Sequence, residues 1–235
     1  MPRAPKLMDQ LKLHEAKRRD LTGLLLFAIL IGLCLGAVLV ASWYEARPLL
    51  VLAKNETYAR SITIVGVTKE GARAGELATL TVKLMSGKGR VFISVPPYEN
   101  EDTQRSAKSA MSAAGAETGY DLSSVDIILS IESSAEAITG PSAGAAMAVV
   151  MVAAIRAAEN EVPNEVRQDA IISATIDESG RLGPVGDIDV KIGAAKDAGF
   201  KLFVVSNNQT GVPKISGIQV ERAQNLSEVV DLMLR

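Results

Sequence analysis

The chain of 235 residues contains one histidine and one cysteine. A lone cysteine cannot close an internal disulfide, and with one histidine it cannot supply the four ligands of an ordinary structural zinc site. Lys and Arg number 25 against 27 Asp and Glu, so the basic surplus of a nucleic-acid binder is missing and no nucleic-acid partner is expected. No Gly-x-x-x-x-Gly-Lys-Ser/Thr occurs, and this length suits one membrane or targeting segment plus one ordinary domain, with no motor of its own. Internal repeats and low-complexity tracts are absent too.

What is present begins with an uncharged run from Leu21 to Tyr44, long enough to cross roughly 30 Å of hydrocarbon as a helix. It is expected to be an uncleaved transmembrane helix, because it is long for a signal-peptide core and its best cleavage site, Val40-Ala41-Ser42, is weak. Arg3, Lys6, Lys12, Lys17, Arg18 and Arg19 precede it, so residues 1–20 form a cytoplasmic basic tail and everything after Trp43 lies outside. The expected location is therefore the cell membrane, with a single pass and an extracytoplasmic domain. Gly32 and Gly36 form a Gly-x-x-x-Gly within the span, and the sequons at Asn55, Asn208 and Asn225 are compatible with an external domain.

Residues 45–58 read as a polar linker, and residues 59–235 as one mixed α/β, or α+β, domain. Alternating patterns predict strands at 61–65, 77–84, 91–95, 125–131, 170–176, 202–205 and 218–220. Helices are predicted over 102–116, from near Ser142, from Asp187 and from Asn225, the last with an Asn-x-x-Glu capping box to Glu228. The helix after Ser142 is apolar on every face, which marks it as central and buried.

Chemistry concentrates at the mouth of that helix. Gly140-Pro141-Ser142-Ala143-Gly144 sets a serine where helix-terminal amides can stabilise a developing oxyanion. The same letters fit the Gly-x-Ser-x-Gly elbow of α/β-hydrolases, yet the only histidine, His14, precedes the membrane run. Cys34 lies inside the run, which removes a cysteine nucleophile, and no Ser-x-x-Lys occurs anywhere. A base other than histidine is then needed, and a desolvated lysine is the usual substitute. The best candidate is Lys191, which follows the Gly183-Pro184-Val185-Gly186 turn and shares a helical face with Ile188, Ala194 and Ala195. Asp187 lies on that face and could hold the lysine charged, but its place after the turn predicts an N-cap with its carboxylate spent on backbone amides.

These residues carry a resemblance. Gly140–Gly144 with the helix behind it, and Ser173–Gly199 with Gly180-Arg181-Leu182-Gly183-Pro184-Val185-Gly186 and Lys191-Ile192-Gly193-Ala194-Ala195-Lys196, resemble the proteolytic domain of the Lon protease family (peptidase family S16). The resemblance implies a Ser-Lys dyad, with Ser142 as nucleophile and Lys191 as general base, cleaving polypeptides through an acyl-enzyme. It also implies a ring-forming homo-oligomer, usually hexameric, and no metal or other cofactor. Ser173-Ala174-Thr175 stands where the family carries Thr-Gly-Glu, so the hydroxyl that orients the lysine passes to Ser173. Thr139, just before Gly140 and Pro141, occupies a position that is acidic in many members. The missing ATPase module implies an ATPase partner in trans, or substrates already unfolded or short. A rival reading from another class is a non-catalytic, membrane-tethered oligomeric binding module with the same fold. A third is phosphate binding at the Gly-rich helix mouth.

Overall fold

The structure is a computed structural model that describes residues 29, 31–32, 47–68, 73–94, 101–133 and 140–235. Two compact units divide the chain, Met1–Ala46 and Arg47–Arg235, and the fold below is that of the second. The basic tail, most of the 21–44 run with Gly36, and Thr139 lie outside the described residues. Among those described, the stretch long and apolar enough to cross a membrane is Pro141–Ala158, and it is mostly buried inside the domain.

Four strands build the main sheet, β1 (Thr57–Val67), β2 (Gly75–Ser86), β3 (Val91–Ser94) and β4 (Val125–Ser133), in the order β1-β2-β4-β3. β2 runs antiparallel to both β1 and β4, while β3 runs parallel to β4. Strict alternation in β2 buries Ala78, Leu80, Val82 and Leu84 and leaves Thr79 and Lys83 in water, as a sheet with one covered face requires. Between β3 and β4 runs α1 (Glu101–Thr118), whose Ala107, Ala110, Ala113 and Ala114 are buried. Such small side chains let α1 approach α2 (Gly144–Ala158) closely. Every residue of α2 from Gly144 to Ile155 is buried, and the first charge, Arg156, falls in its last turn. Helix, sheet and α1 thus enclose the larger of two apolar cores.

A second sheet of parallel strands has the order β5 (Ala170–Ile172), β8 (Leu202–Ser206), β9 (Gln219–Ala223), and β6 (Thr175–Ile176) pairs antiparallel with β7 (Leu182–Gly183). The smaller core gathers Val65, Ile171, Ile188, Ile192, Ala195, Phe203, Val205 and Ile218, so α3 (Ile188–Asp197) seals β1 to the second sheet. α4 (Leu226–Met233) closes the chain with the expected cap: Asn225 Oδ1 accepts from the Glu228 N–H at 3.0 Å. Glu228 reaches back to the Gln224 N–H, one residue before the usual capping-box partner.

Three expectations need correction. The single strand predicted over 170–176 is broken into β5 and β6, because Ala174 changes partner. The Ser173 N–H still donates to Val204 O, but the Ala174 N–H donates to Ser142 O and Ala174 O accepts from the Ala145 N–H. The helix expected from near Ser142 opens with a 3-10 turn, Pro141–Ala143, and becomes α-helical at Gly144.

The third correction concerns the stretch read as a linker. Within 45–58, Leu50 and Leu52 are 0% and 6% exposed and belong to the main core, and β1 already begins at Thr57. The Leu50 N–H donates to Asp121 O at 3.0 Å, and the Asp121 N–H donates to Pro48 O at 2.8 Å. Polar residues flank the strap on both sides, but Pro48-Leu49-Leu50-Val51-Leu52-Ala53 is apolar throughout, and the alternate residues Leu50 and Leu52 face inward. Leu50→Ala is expected to cost about 2–5 kcal/mol, the range for truncating a buried leucine. The urea midpoint would measure it, and a freely dangling linker predicts no change.

Candidate active site

Two backbone requirements shape the serine turn. Gly140 has φ 117 and ψ 171, a region where a Cβ is strained, which lets the chain reverse into Pro141. Gly144 is needed for close approach: a Cβ there would stand 3.2 Å from Ile176 Cγ2 and 3.4 Å from Ile176 N. Pro141 is exposed, Ser142 is half-buried, and Ala143 already belongs to the core. The hydrogen bonds with Ala174 then fix Ser142 against the residue that follows Ser173.

Lys191 sits on α3 at 5% exposure. Its neighbours on that helix, Ile188, Ile192 and Ala195, are buried in the smaller core, so its amine has lost most of its hydration. Desolvation pulls its pKa down from the ordinary lysine value to about 8. Among the described residues no carboxylate pairs with it to offset that loss.

Asp187 departs from its expected role. It holds the N-cap position, with its carbonyl accepting from the Lys191 N–H at 3.1 Å. Its backbone is left-handed, φ 58 and ψ 33, and its side chain caps nothing. The carboxylate forms an ion pair with Arg73 instead, so it neither caps α3 nor holds Lys191 charged.

Ser173 is 1% exposed, and its Oγ is buried without a hydrogen-bond partner among the described residues. It directly follows β5, whose Ile171 belongs to the apolar cluster that packs around the lysine helix. Ser142 is tied to the same segment through its main chain. Thr139 lies outside the described residues.

No local pattern picks out Gln209, 5% exposed, which holds the turn before α3. Its Oε1 accepts from the Val185 N–H at 2.8 Å, and its Nε2 donates to the carbonyls of Val185 and Thr210, both at 3.0 Å. Only a clamp between segments 24 residues apart identifies it. Ser106, 7% exposed on α1, lies against Gly144 at the serine turn. Its trace in the sequence is a polar residue within an alanine-rich helical face.

The site thus offers a half-buried serine at a helix mouth and a buried lysine whose pKa is lowered, without a histidine among the described residues. Three comparisons bear on it. A 114-residue segment is 31% identical to an archaeal Lon protease of Methanocaldococcus jannaschii, covering 48% of this chain and 17% of that protein. Over 171 residues the chain is 27% identical to a Lon protease of Buchnera aphidicola subsp. Acyrthosiphon pisum, covering 68% of this chain and 21% of the relative. Lon protease 2 of Bacillus subtilis is 32% identical over 99 residues, 41% of this chain and 17% of the relative. The matched region is therefore about a fifth of those proteins' length or less. The profile of the Lon protease (S16) C-terminal proteolytic domain matches residues 53–235, which takes in both sheets, the serine turn and the lysine helix, and by that match this chain belongs to the Lon proteolytic-domain family.

Proposed function

We propose that the chain is a membrane-anchored serine endopeptidase that cleaves unfolded polypeptides or peptides with Ser142 and Lys191. The observation that carries this reading is the buried Lys191 amine, held at a pKa of about 8 by desolvation with no carboxylate beside it. At pH 7 roughly a tenth of the molecules hold it neutral, against fewer than one in a thousand for a solvated lysine. Neutral Nζ takes the proton of Ser142 Oγ as the oxygen attacks the scissile carbonyl. The negative charge on the carbonyl oxygen develops at the N-terminal end of α2, where the helix dipole is positive. Protonated Lys191 then gives its proton to the departing amine, which leaves an ester on Ser142. Neutral Nζ next activates a water that hydrolyses the ester and restores the serine. Ser173 Oγ, otherwise unpaired, is the group proposed to steady the amine.

The proposed setting is a homo-oligomeric ring at the cell membrane, anchored by residues 21–44 with the domain outside the cytoplasm. Polypeptides are its substrates, and an ATPase acting in trans is the proposed partner where unfolding is needed. No metal or cofactor enters the mechanism.

Ser142→Ala tests the core of it. Hydrolysis of fluorescein-labelled casein is expected to fall by roughly 10⁴-fold or more, the usual loss when a nucleophile acting with its base is removed. In the unsubstituted chain, log kcat/KM is expected to rise with unit slope below pH 8 and flatten above it, because only the amine form of Lys191 is a base. Unchanged turnover in Ser142→Ala, or a flat profile between pH 6 and 8, would sink the dyad.

A further inference from the structure

The inference below rests on the membrane-anchored reading and adds the surface that meets the lipid. The strap at residues 48–52 leaves two apolar side chains uncovered. Leu50 and Leu52 are buried, whereas Leu49 and Val51 between and before them are 48% and 68% exposed. The strap is also fixed: besides its bonds to Asp121, the Ser124 hydroxyl donates to Leu50 O. Its exposed side chains therefore have a set direction and do not fold back onto the domain.

Three observations bear on what covers them. The uncharged 21–44 run ends at Tyr44, four residues before Pro48, so at most about 14 Å of extended chain separates it from the fixed strap. Arg47, Lys54 and Lys88 are exposed at this end of the domain against exposed Glu56 and Asp121, a small cationic surplus that suits anionic headgroups around a small apolar patch. Met85, 37% exposed and paired across from Thr57, adds to the apolar surface of the same sheet end.

The lysine helix packs at the other end. β2 runs from Gly75 to Ser86, a span of about 36 Å at the rise of a strand. Ser86 pairs with Val125 beside the strap's partners, Asp121 and Ser124. At the Gly75 end, a groove of about 700 Å³ is lined by Gly75 and Leu77 on β2 and by Val190 and Ala194 on the lysine helix. Strap and lysine helix thus occupy opposite ends of one strand.

We propose that the Leu49–Val51 end of the domain is a lipid-facing surface, its apolar pair seated at the headgroup boundary of an anionic bilayer, with the lysine-helix end turned to water. Substrates are then taken from the aqueous side, and the strap works as a stop that prevents the domain from lying down on the membrane.

The test uses the full chain with its one cysteine removed, Cys34→Ser, reconstituted in vesicles of phosphatidylcholine and phosphatidylglycerol. Val51→Cys and, separately, Asp197→Cys at the far end of α3 carry an environment-sensitive nitrobenzoxadiazole label. The label at 51 is expected to shift to the blue and be quenched by lipids spin-labelled near the headgroup at least twofold more than the label at 197. Equal aqueous emission from both labels in a chain that floats with the vesicles would overturn the lipid-facing surface while leaving the anchor standing. A blue shift at 51 without lipid quenching would mean that protein, such as a second copy of the chain, covers the pair, and would also overturn it. A chain that does not float with the vesicles would remove the anchor and this surface together.

Discussion

Lys191→Met is expected to abolish casein hydrolysis, by roughly 10⁴-fold, and at the same time to make the folded domain more stable. Both effects come from one feature, the burial of the amine in an apolar cluster. Methionine keeps the length and flexibility of the lysine stem and needs no hydration. Holding the lysine pKa at about 8 instead of its ordinary value costs about 3 kcal/mol of stability at neutral pH. Relief of that cost is expected to raise Tm by roughly 2–4 °C per kcal/mol for a domain of this size.

The pH dependence has a definite sign. Between about pH 8 and the ordinary lysine value, the unfolded chain binds a proton at this side chain that the folded chain does not, so wild-type stability rises with pH in that window. Below pH 8 the full cost is present. The Tm advantage of Lys191→Met is therefore expected to be largest at neutral pH and to shrink as pH climbs from 8 towards 10.5. Lys191→Arg keeps the charge at every pH and is expected to lower Tm. An active Lys191→Met variant would eliminate this lysine as the base. An inactive but destabilised one would instead assign it a structural part.

The second large effect lies far from the serine. Asp126→Ala is expected to cost about 2–4 kcal/mol of stability, from two backbone amides left without an acceptor. Asp126 is 4% exposed, and its Oδ1 accepts from the Lys88 N–H at 2.8 Å and the Arg90 N–H at 3.0 Å. Those bonds hold the turn between β2 and β3. The Arg90 guanidinium also grips the carboxylate and lies over the Phe92 ring, 5.1 Å from its centre. Arg90 is largely exposed, so solvent screens this pair and most of the loss is assigned to the amides. Asp126→Asn keeps one acceptor and is expected to lose less.

Acid should reveal the same group. The Arg90 guanidinium, helped by the two amides, holds the Asp126 carboxyl well below the usual carboxylate range against the opposing effect of burial. Its contribution is complete above the unfolded carboxylate value of about 3.9 and disappears as pH falls below it. The gap in urea midpoint between wild type and Asp126→Ala should therefore narrow on acidification from about pH 5 to pH 2, without closing, because a protonated carboxyl still offers the amides an acceptor oxygen. A gap that stays constant over that range would separate the carboxylate from the loss.

Much of the fold was legible because it is written in local periodicity. The alternation of Ala78, Leu80, Val82 and Leu84 fixes a strand whose face is covered, and a helix apolar on all sides has nowhere to go but the centre. Scarcity narrowed the candidates in the same direct way, since the one histidine and the one cysteine lie at or before the apolar run and take those two residue types out of the domain. The glycine-rich serine block was readable as well, because a positive φ at Gly140 and close packing at Gly144 favour glycine at both places.

What the sequence by itself determined, then, is the set of elements, the family resemblance and the chemical identity of the candidate nucleophile and base. Tertiary structure decided what each polar group meets. Asp187 reads as an N-cap from its neighbours in sequence, but Arg73, over a hundred residues away, takes its carboxylate. Strand 170–176 reads as continuous until the Ser142 turn claims Ala174. Leu50 looks like part of a linker until Asp121 pairs with it, and Gln209 has no visible purpose until Val185 arrives. Periodicity reports the bonds a segment makes with itself, whereas burial and partner choice depend on chain segments that approach only after folding. The lowered pKa of Lys191 is of the second kind: its cause is the water that the smaller core excludes.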